Sequence, residues 1–118
     1  MLIHGQSHGG IAQGIGQALW EECSYDRDTG QLLSGSLMDY ALPRADSLPL
    51  FQTEISEVPS TTNPLGMRGG SEGGITPGLA VVANAIVDAL SELGIEHIEL
   101  PATPERVWKA IQISGSHN

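Results

Sequence analysis

The chain has 118 residues, enough for one domain and too few for two, so any core it builds is modest. With 14 acidic residues against 5 basic ones, the formal charge of −9 argues against nucleic acid or an anionic membrane as partner. A lone cysteine, Cys23, excludes a disulfide framework or thiolate metal cluster, and no apolar run reads as a membrane span. The start, Met1 to Gly10, lacks the basic flank and long apolar stretch of an export signal, so a soluble, cytoplasmic protein is expected.

The first twenty residues carry two competing signals. Gly5-Gln6-Ser7-His8-Gly9 matches G-x-S-x-G, the turn that presents a serine nucleophile in α/β-hydrolases, with Leu2 and Ile3 as its short apolar lead-in. A hydrolase would also need an acid and a histidine downstream, and His97 and His117 are available. Ile11, Ile15 and Leu19 then share one face of a helix expected near 10–21. Gly9, Gly10, Gly14 and Gly16 weaken that helix, each interior glycine by about 1 kcal/mol relative to alanine. Something must therefore pack closely against it: another element, or a buried cofactor read by the Gln13 amide, which can both donate and accept.

From Glu22 to Leu33 the turn-rich Asp26-Arg27-Asp28-Thr29-Gly30 sits between short flanks and reads as a hairpin. Ser34 to Pro49 is irregular, with Pro43 and Pro49 blocking long elements. Leu50 to Val58 alternates, placing Phe51, Thr53 and Ile55 on one face of an expected strand. Residues 59–63 lead as a loop into a glycine segment, Gly66 to Gly74, that holds one acid, Glu72.

After that loop, Leu79, Val82, Ala83, Ile86, Leu90 and Leu93 repeat at helical spacing. Thr76 is the expected cap, Pro77 suits the first helical position, and Gly94 is a natural stop. A carboxylate in a close-approach loop feeding a helix N-terminus, where N–H groups attract anions, is either a reacting base or an ordinary surface turn. Residues 95–100 offer a further short strand. Thr103 then caps a last helix near 104–112 with Val107, Trp108 and Ile111 inward, and 113–118 reads as a loose tail. The expected fold is α+β: a small mixed sheet from 22–33, 50–58 and 95–100, covered by helices near 10–21, 77–93 and 104–112, in a single domain or domain fragment over 1–118.

Five stretches, in order, resemble the C-terminal end of the molybdenum-binding large subunit of the xanthine dehydrogenase family, which includes aldehyde oxidoreductase and aerobic carbon monoxide dehydrogenase. They are GQSHGGIAQGIGQALWEE at 5–22, DYALPRADSLP at 39–49, NPLGMRGGSEGG at 63–74, AVVANAIVDAL at 80–90 and PATPERVWKAI at 101–111. The resemblance implies that Glu72 is the active-site base, that Gln13 lies near the pterin, and that Gly70 and Ser71 border the cofactor. It implies oxidative hydroxylation of an aldehyde, an N-heterocycle or a related small substrate, or oxidation of carbon monoxide, with water-derived oxygen. A carboxylate would take the proton, which is general-base catalysis.

The implied cofactor is molybdopterin, in bacteria often the cytosine dinucleotide form, and electrons would leave through iron–sulfur and FAD subunits or domains. No side chain of this segment is expected to ligate a metal. Two departures stand out. Ser71 replaces a glycine of the family loop, which costs about 1–2 kcal/mol if the position needs a positive φ. The family's large subunit is also several times longer. Three readings follow: a segment active only with the remaining large-subunit portion and carrying no cofactor alone, an inactive remnant that oligomerises as a structural module, and a small serine hydrolase using Ser7.

Overall fold

A computed structural model describes residues 1–116. Its regular elements are α1 (Leu2–Leu19), α2 (Ile75–Leu90), a 3-10 turn (Ser91–Leu93) that prolongs α2, and α3 (Pro104–Gly115). Helix α1 starts well before residue 10 and runs through Gly5, Gly9, Gly10, Gly14 and Gly16. Tertiary packing explains why low propensity is overridden at three of them. A Cβ on Gly10 would lie 2.6 Å from the Ile75 backbone nitrogen, and one on Gly14 would lie 2.6 Å from the Gly78 carbonyl carbon. On the other side, a Cβ on Gly74 would collide with the Ser7 carbonyl oxygen, and one on Gly78 would sit 3.3 Å from the Gly14 Cα. The two helices thus meet backbone to backbone through glycines spaced four apart, on one face of each. Gly16 makes a third close approach, to the Pro43 ring and the Glu21 side chain.

The expected mixed sheet is absent: among the described residues there is no strand, only an isolated antiparallel bridge between Tyr25 and Leu32. The 22–33 segment does turn back on itself. Asp26 N–H donates to the Gln31 carbonyl at 2.8 Å and Leu33 N–H to the Ser24 carbonyl at 2.8 Å, and Ser24 N–H donates to the Ser34 hydroxyl at 2.9 Å, but no strand ladder develops. Alternation at 50–58 specifies a half-buried face without supplying a partner, and a strand exists only through its ladder. That segment's backbone bonding is local, Val58 N–H to the Ser56 carbonyl at 3.0 Å. In 95–100 the buried residues are Ile95 and Ile98, three apart, which is not a strand's period of two.

Helix ends follow local chemistry in part. Thr103 caps α3 by accepting from the Arg106 N–H at 3.3 Å, with Pro104 opening the helix. Gly94 ends the 3-10 turn in the left-handed region at φ 73°, which favours glycine. Thr76 is not the cap of α2: Gly74 holds that place without a side-chain bond, and Thr76 N–H donates to the Glu72 carbonyl at 3.1 Å. Helix α3 continues through Gly115, past the point where a loose tail was expected, and residues 117–118 lie outside the described residues.

The apolar core is small: Ala18, Ile95, Ile98 and Ala102, tied where Ala102 N–H donates to the Ala18 carbonyl at 2.6 Å. No large side chain is fully enclosed among the described residues. The chain has a radius of gyration of 18.5 Å, where about 13–14 Å is usual for its length. It exposes 9118 Å², where a compact protein of its mass exposes about 6,100 Å². Residues 75–93 are, by length and composition, apolar enough to cross a membrane, with a mean hydropathy of 1.2. This corrects the expectation from sequence that no segment has that length, and core helices pass the same test.

Candidate functional site

The glycine loop lies along the first three turns of α1. Gly70 faces the Ile3 side chain, Gly74 presses on the Ser7 backbone, and Gly10 approaches Ile75. Ile3, Ser7, Gly10 and Gly14 recur at helical spacing, so one stripe of α1 forms the floor under residues 70–78. The flanks of that stripe differ. Residues one position on, at about 100° around the helix, are His4 and His8. Both bond Thr53: His4 Nδ1 at 2.7 Å and His8 Nε2 at 3.2 Å from its Oγ1. The His8 ring also meets Phe51 edge-on at 5.7 Å, so residues 51–53 are strapped to α1 although they form no strand. The opposite flank carries Gln6, Gln13 and Gln17, all exposed.

Glu72 is exposed, and its carboxylate has no hydrogen-bond or ion-pair partner among the described residues, while its carbonyl is fixed by Thr76 N–H. Ser71 is also exposed, and no non-glycine residue has a positive φ, so the strain considered for a serine at this position does not arise. Gly70 is half-buried; a Cβ there would reach only Ile3, at 3.8 Å. Gln13 shares α1 with the loop's floor but sits on the exposed flank, and no hydrogen bond joins it to Glu72. The structure therefore brings Gly70, Ser71 and Glu72 onto one fixed loop and leaves Gln13 beside it with its amide free. The N-terminus of α2 offers fewer N–H donors than expected, since that of Thr76 is taken and Pro77 has none.

Ser7 is not a presented nucleophile. Gly5 to Gly9 are helical, so the strained strand-to-helix turn is missing, and no histidine among the described residues bonds the Ser7 hydroxyl. His4 and His8 are engaged with Thr53, His97 lies beyond α2, and His117 falls outside the described residues. The His4–Thr53–His8 contact was not foreseen from sequence, although i,i+4 histidines on a helix face were its available signal.

The residues present fit one wall of a site for a pterin-type group. A carboxylate and a carboxamide end free, and side chains at Gly69 and Gly73 would meet nothing within 4 Å, so a ligand can reach the backbone there. No group of three or more His, Cys, Asp or Glu side chains able to hold a metal occurs among the described residues.

Residues 1–49 match the molybdopterin cofactor-binding domain. The chain is 42% identical over 109 residues to the nicotine 6-hydroxylase large subunit of Paenarthrobacter nicotinovorans, covering 92% of this chain and 13% of that one. It is 36% identical over 112 residues to the carbon monoxide dehydrogenase large chain of Hydrogenophaga pseudoflava, covering 95% and 14%. Among solved structures, it superposes on a Cu,Mo-CO dehydrogenase with TM-score 0.89 at 35% identity, covering 100% of this chain and 15% of that one. Quinoline 2-oxidoreductase from Pseudomonas putida 86 gives TM-score 0.83 at 43% identity over 95% of this chain and 14% of its own. The chain spans about 13–15% of the length of these relatives and, over nearly all of its own, is similar to the molybdenum-binding large subunits of the xanthine dehydrogenase family.

Proposed function

We propose that this segment carries the general base and one wall of the cofactor site of a molybdenum hydroxylase, acting together with the remaining large-subunit portion. One observation carries the reading: Glu72 holds an unpartnered carboxylate on a loop whose backbone is locked to α1 at Gly74 and Ser7. A base needs both properties, a free acceptor and a fixed position. When bound, molybdopterin, in its cytosine dinucleotide form, supplies the oxidising centre and the water-derived oxygen. Glu72 takes up the proton released as that oxygen is transferred. Gln13 orients the pterin by donating and accepting through one amide, and the backbone at Gly70 and Ser71 lets the ligand come close. The substrate is an aldehyde, an N-heterocycle or a related small molecule, or carbon monoxide, a reading supported by relatives named for nicotine, quinoline and carbon monoxide. Electrons leave to iron–sulfur and FAD subunits, and the assembly is cytoplasmic.

The test is a pair of substitutions in the complete large subunit, read as turnover per bound molybdenum. Glu72→Gln keeps shape and removes the acceptor, so turnover falls at least about a hundredfold with molybdenum content unchanged. Gln13→Ala lowers molybdenum content more than the rate per metal. Near-normal turnover per metal in Glu72→Gln would return the loop to a surface turn.

A further inference from the structure

The ends of the three helices enclose a groove of about 550 Å³, whose walls include Leu19 of α1 and the Trp20 that follows it, Ile86 and Leu90 of α2, and Val107 and Trp108 of α3. The wall is nearly all carbon, and Trp108 is 58% exposed on it. Leaving a tryptophan face in water is unfavourable, and large aromatic side chains in apolar pockets are the usual anchors of interfaces. The charged residues next to Val107 and Trp108 in sequence are engaged elsewhere: Arg106 is paired with Glu22 and bonds the Pro101 carbonyl at 2.8 Å, and Lys109 pairs with Glu105 at 2.6 Å. An apolar surface free of charged residues has the composition of the core of a protein–protein interface.

We infer that this groove seats the remaining portion of the molybdenum large subunit, which inserts an uncharged apolar segment between Trp20 and Trp108. The inference rests on the function proposed above and names the surface through which that partner docks. Three observations select the occupant. The two structures that superpose on 95–100% of this chain are several times its length, so in them ample further protein is at hand to cover such a groove. The surface exposed here exceeds that of a compact protein of this mass by about 3,000 Å², more than a standard interface covers on one partner. A formal charge of −9 opposes an anionic membrane as occupant. A second copy fits poorly, because a twofold axis would set groove against groove and leave a void between two concave faces.

The experiment uses this chain and, as the probe, the P. nicotinovorans nicotine 6-hydroxylase large subunit lacking the 109 residues it shares with this chain, produced together. The unaltered chain is retained by the tagged probe. Trp108→Glu is retained at least about tenfold less, with helical circular dichroism unchanged because Trp108 is an exposed position. Trp108→Phe restores capture, and Val81→Glu, an exposed apolar site outside the groove, leaves it intact. Equal capture of the unaltered chain and Trp108→Glu, or equal loss with Val81→Glu, overturns the groove assignment alone. No capture of the unaltered chain overturns the large-subunit reading and the groove with it. Loss of a homodimer in Trp108→Glu, with probe capture unchanged, makes the groove a self-interface and overturns the inference.

Discussion

Asp26 accepts three hydrogen bonds through Oδ1, from the backbone N–H groups of Asp28 at 3.2 Å and Thr29 at 2.8 Å and from the Thr29 hydroxyl at 2.6 Å. The Thr29 hydroxyl and then its N–H hold the Asp26 carboxyl below its ordinary range, because both donate to the ionised form. A lowered folded value means the turn gains its stabilisation above the ordinary aspartate range and loses it as pH falls through the lowered value. We therefore expect protection of the Thr29 amide from hydrogen exchange to persist below the ordinary aspartate titration and then vanish with further acid. In Asp26→Asn the pH dependence disappears; an unchanged acid profile in that variant would rule out the carboxylate as its source. Tyr40 shows the opposite sign: its hydroxyl donates to Glu21 at 2.8 Å, and the carboxylate holds the phenol above its usual range. That bond is complete below the ordinary tyrosine range and is lost as pH rises through the raised value. The Asp26 turn was legible in the sequence because its bonds lie within five residues; the Tyr40 bond spans nineteen and was not.

At the scale of elements, long-range contact decides what local sequence does not. Five glycines set propensity against α1, yet it forms from Leu2 because Gly10 and Gly14 fit against the start of α2. The caution raised by glycines was right about close packing and wrong about where the helix begins. Phe51, Thr53 and Ile55 alternate as a strand would, but the segment is held by side chains, Thr53 to two histidines, with no ladder beside it. Periodicity suggests a covered face and says nothing of its neighbour, and here Phe51 and Thr53 are half-buried while Ile55 stays exposed. Caps were legible in part: Thr103 and Gly94 act as their residue types suggest, whereas Gly74 stands where Thr76 was expected to cap α2. The same logic gives opposite signs for two glycine substitutions on one helix. At Gly14 a new methyl meets backbone atoms at 2.6 Å that no rotamer can move, so Gly14→Ala forces the helices apart and costs about 1–3 kcal/mol. At Gly9 nothing lies within 4 Å, so Gly9→Ala gains about 1 kcal/mol of helix propensity. Urea denaturation of both variants checks this, and equal effects would show that the glycine contact does not hold α1 to α2.

Across the whole molecule, the residues that would react and those that would dock stand on the same unburied framework. Glu72, Ser71 and Gln13 are exposed, and so are Met38, Leu50, Leu65 and Val81, which no function of this chain alone explains. Such scattered apolar surface gives the isolated chain weak attraction for itself without one preferred geometry. A charge of −9 opposes that attraction, and the opposition is electrostatic and long-ranged, so salt weakens it. At low ionic strength repulsion acts over about 30 Å; in 1 M salt it acts over about 3 Å, and apolar contact then prevails. The expected outcome is association that grows with both protein and salt concentration, followed by light scattering at fixed pH. Because contacts are spread over the surface, Trp108→Glu should reduce this association only slightly, in contrast to its effect on capture of the large-subunit portion. Association driven by ion pairs would show the reverse salt dependence and dissolve as salt is added. A chain that stays monomeric at high concentration in 1 M salt would mean that its exposed apolar residues are too dispersed to hold two copies together.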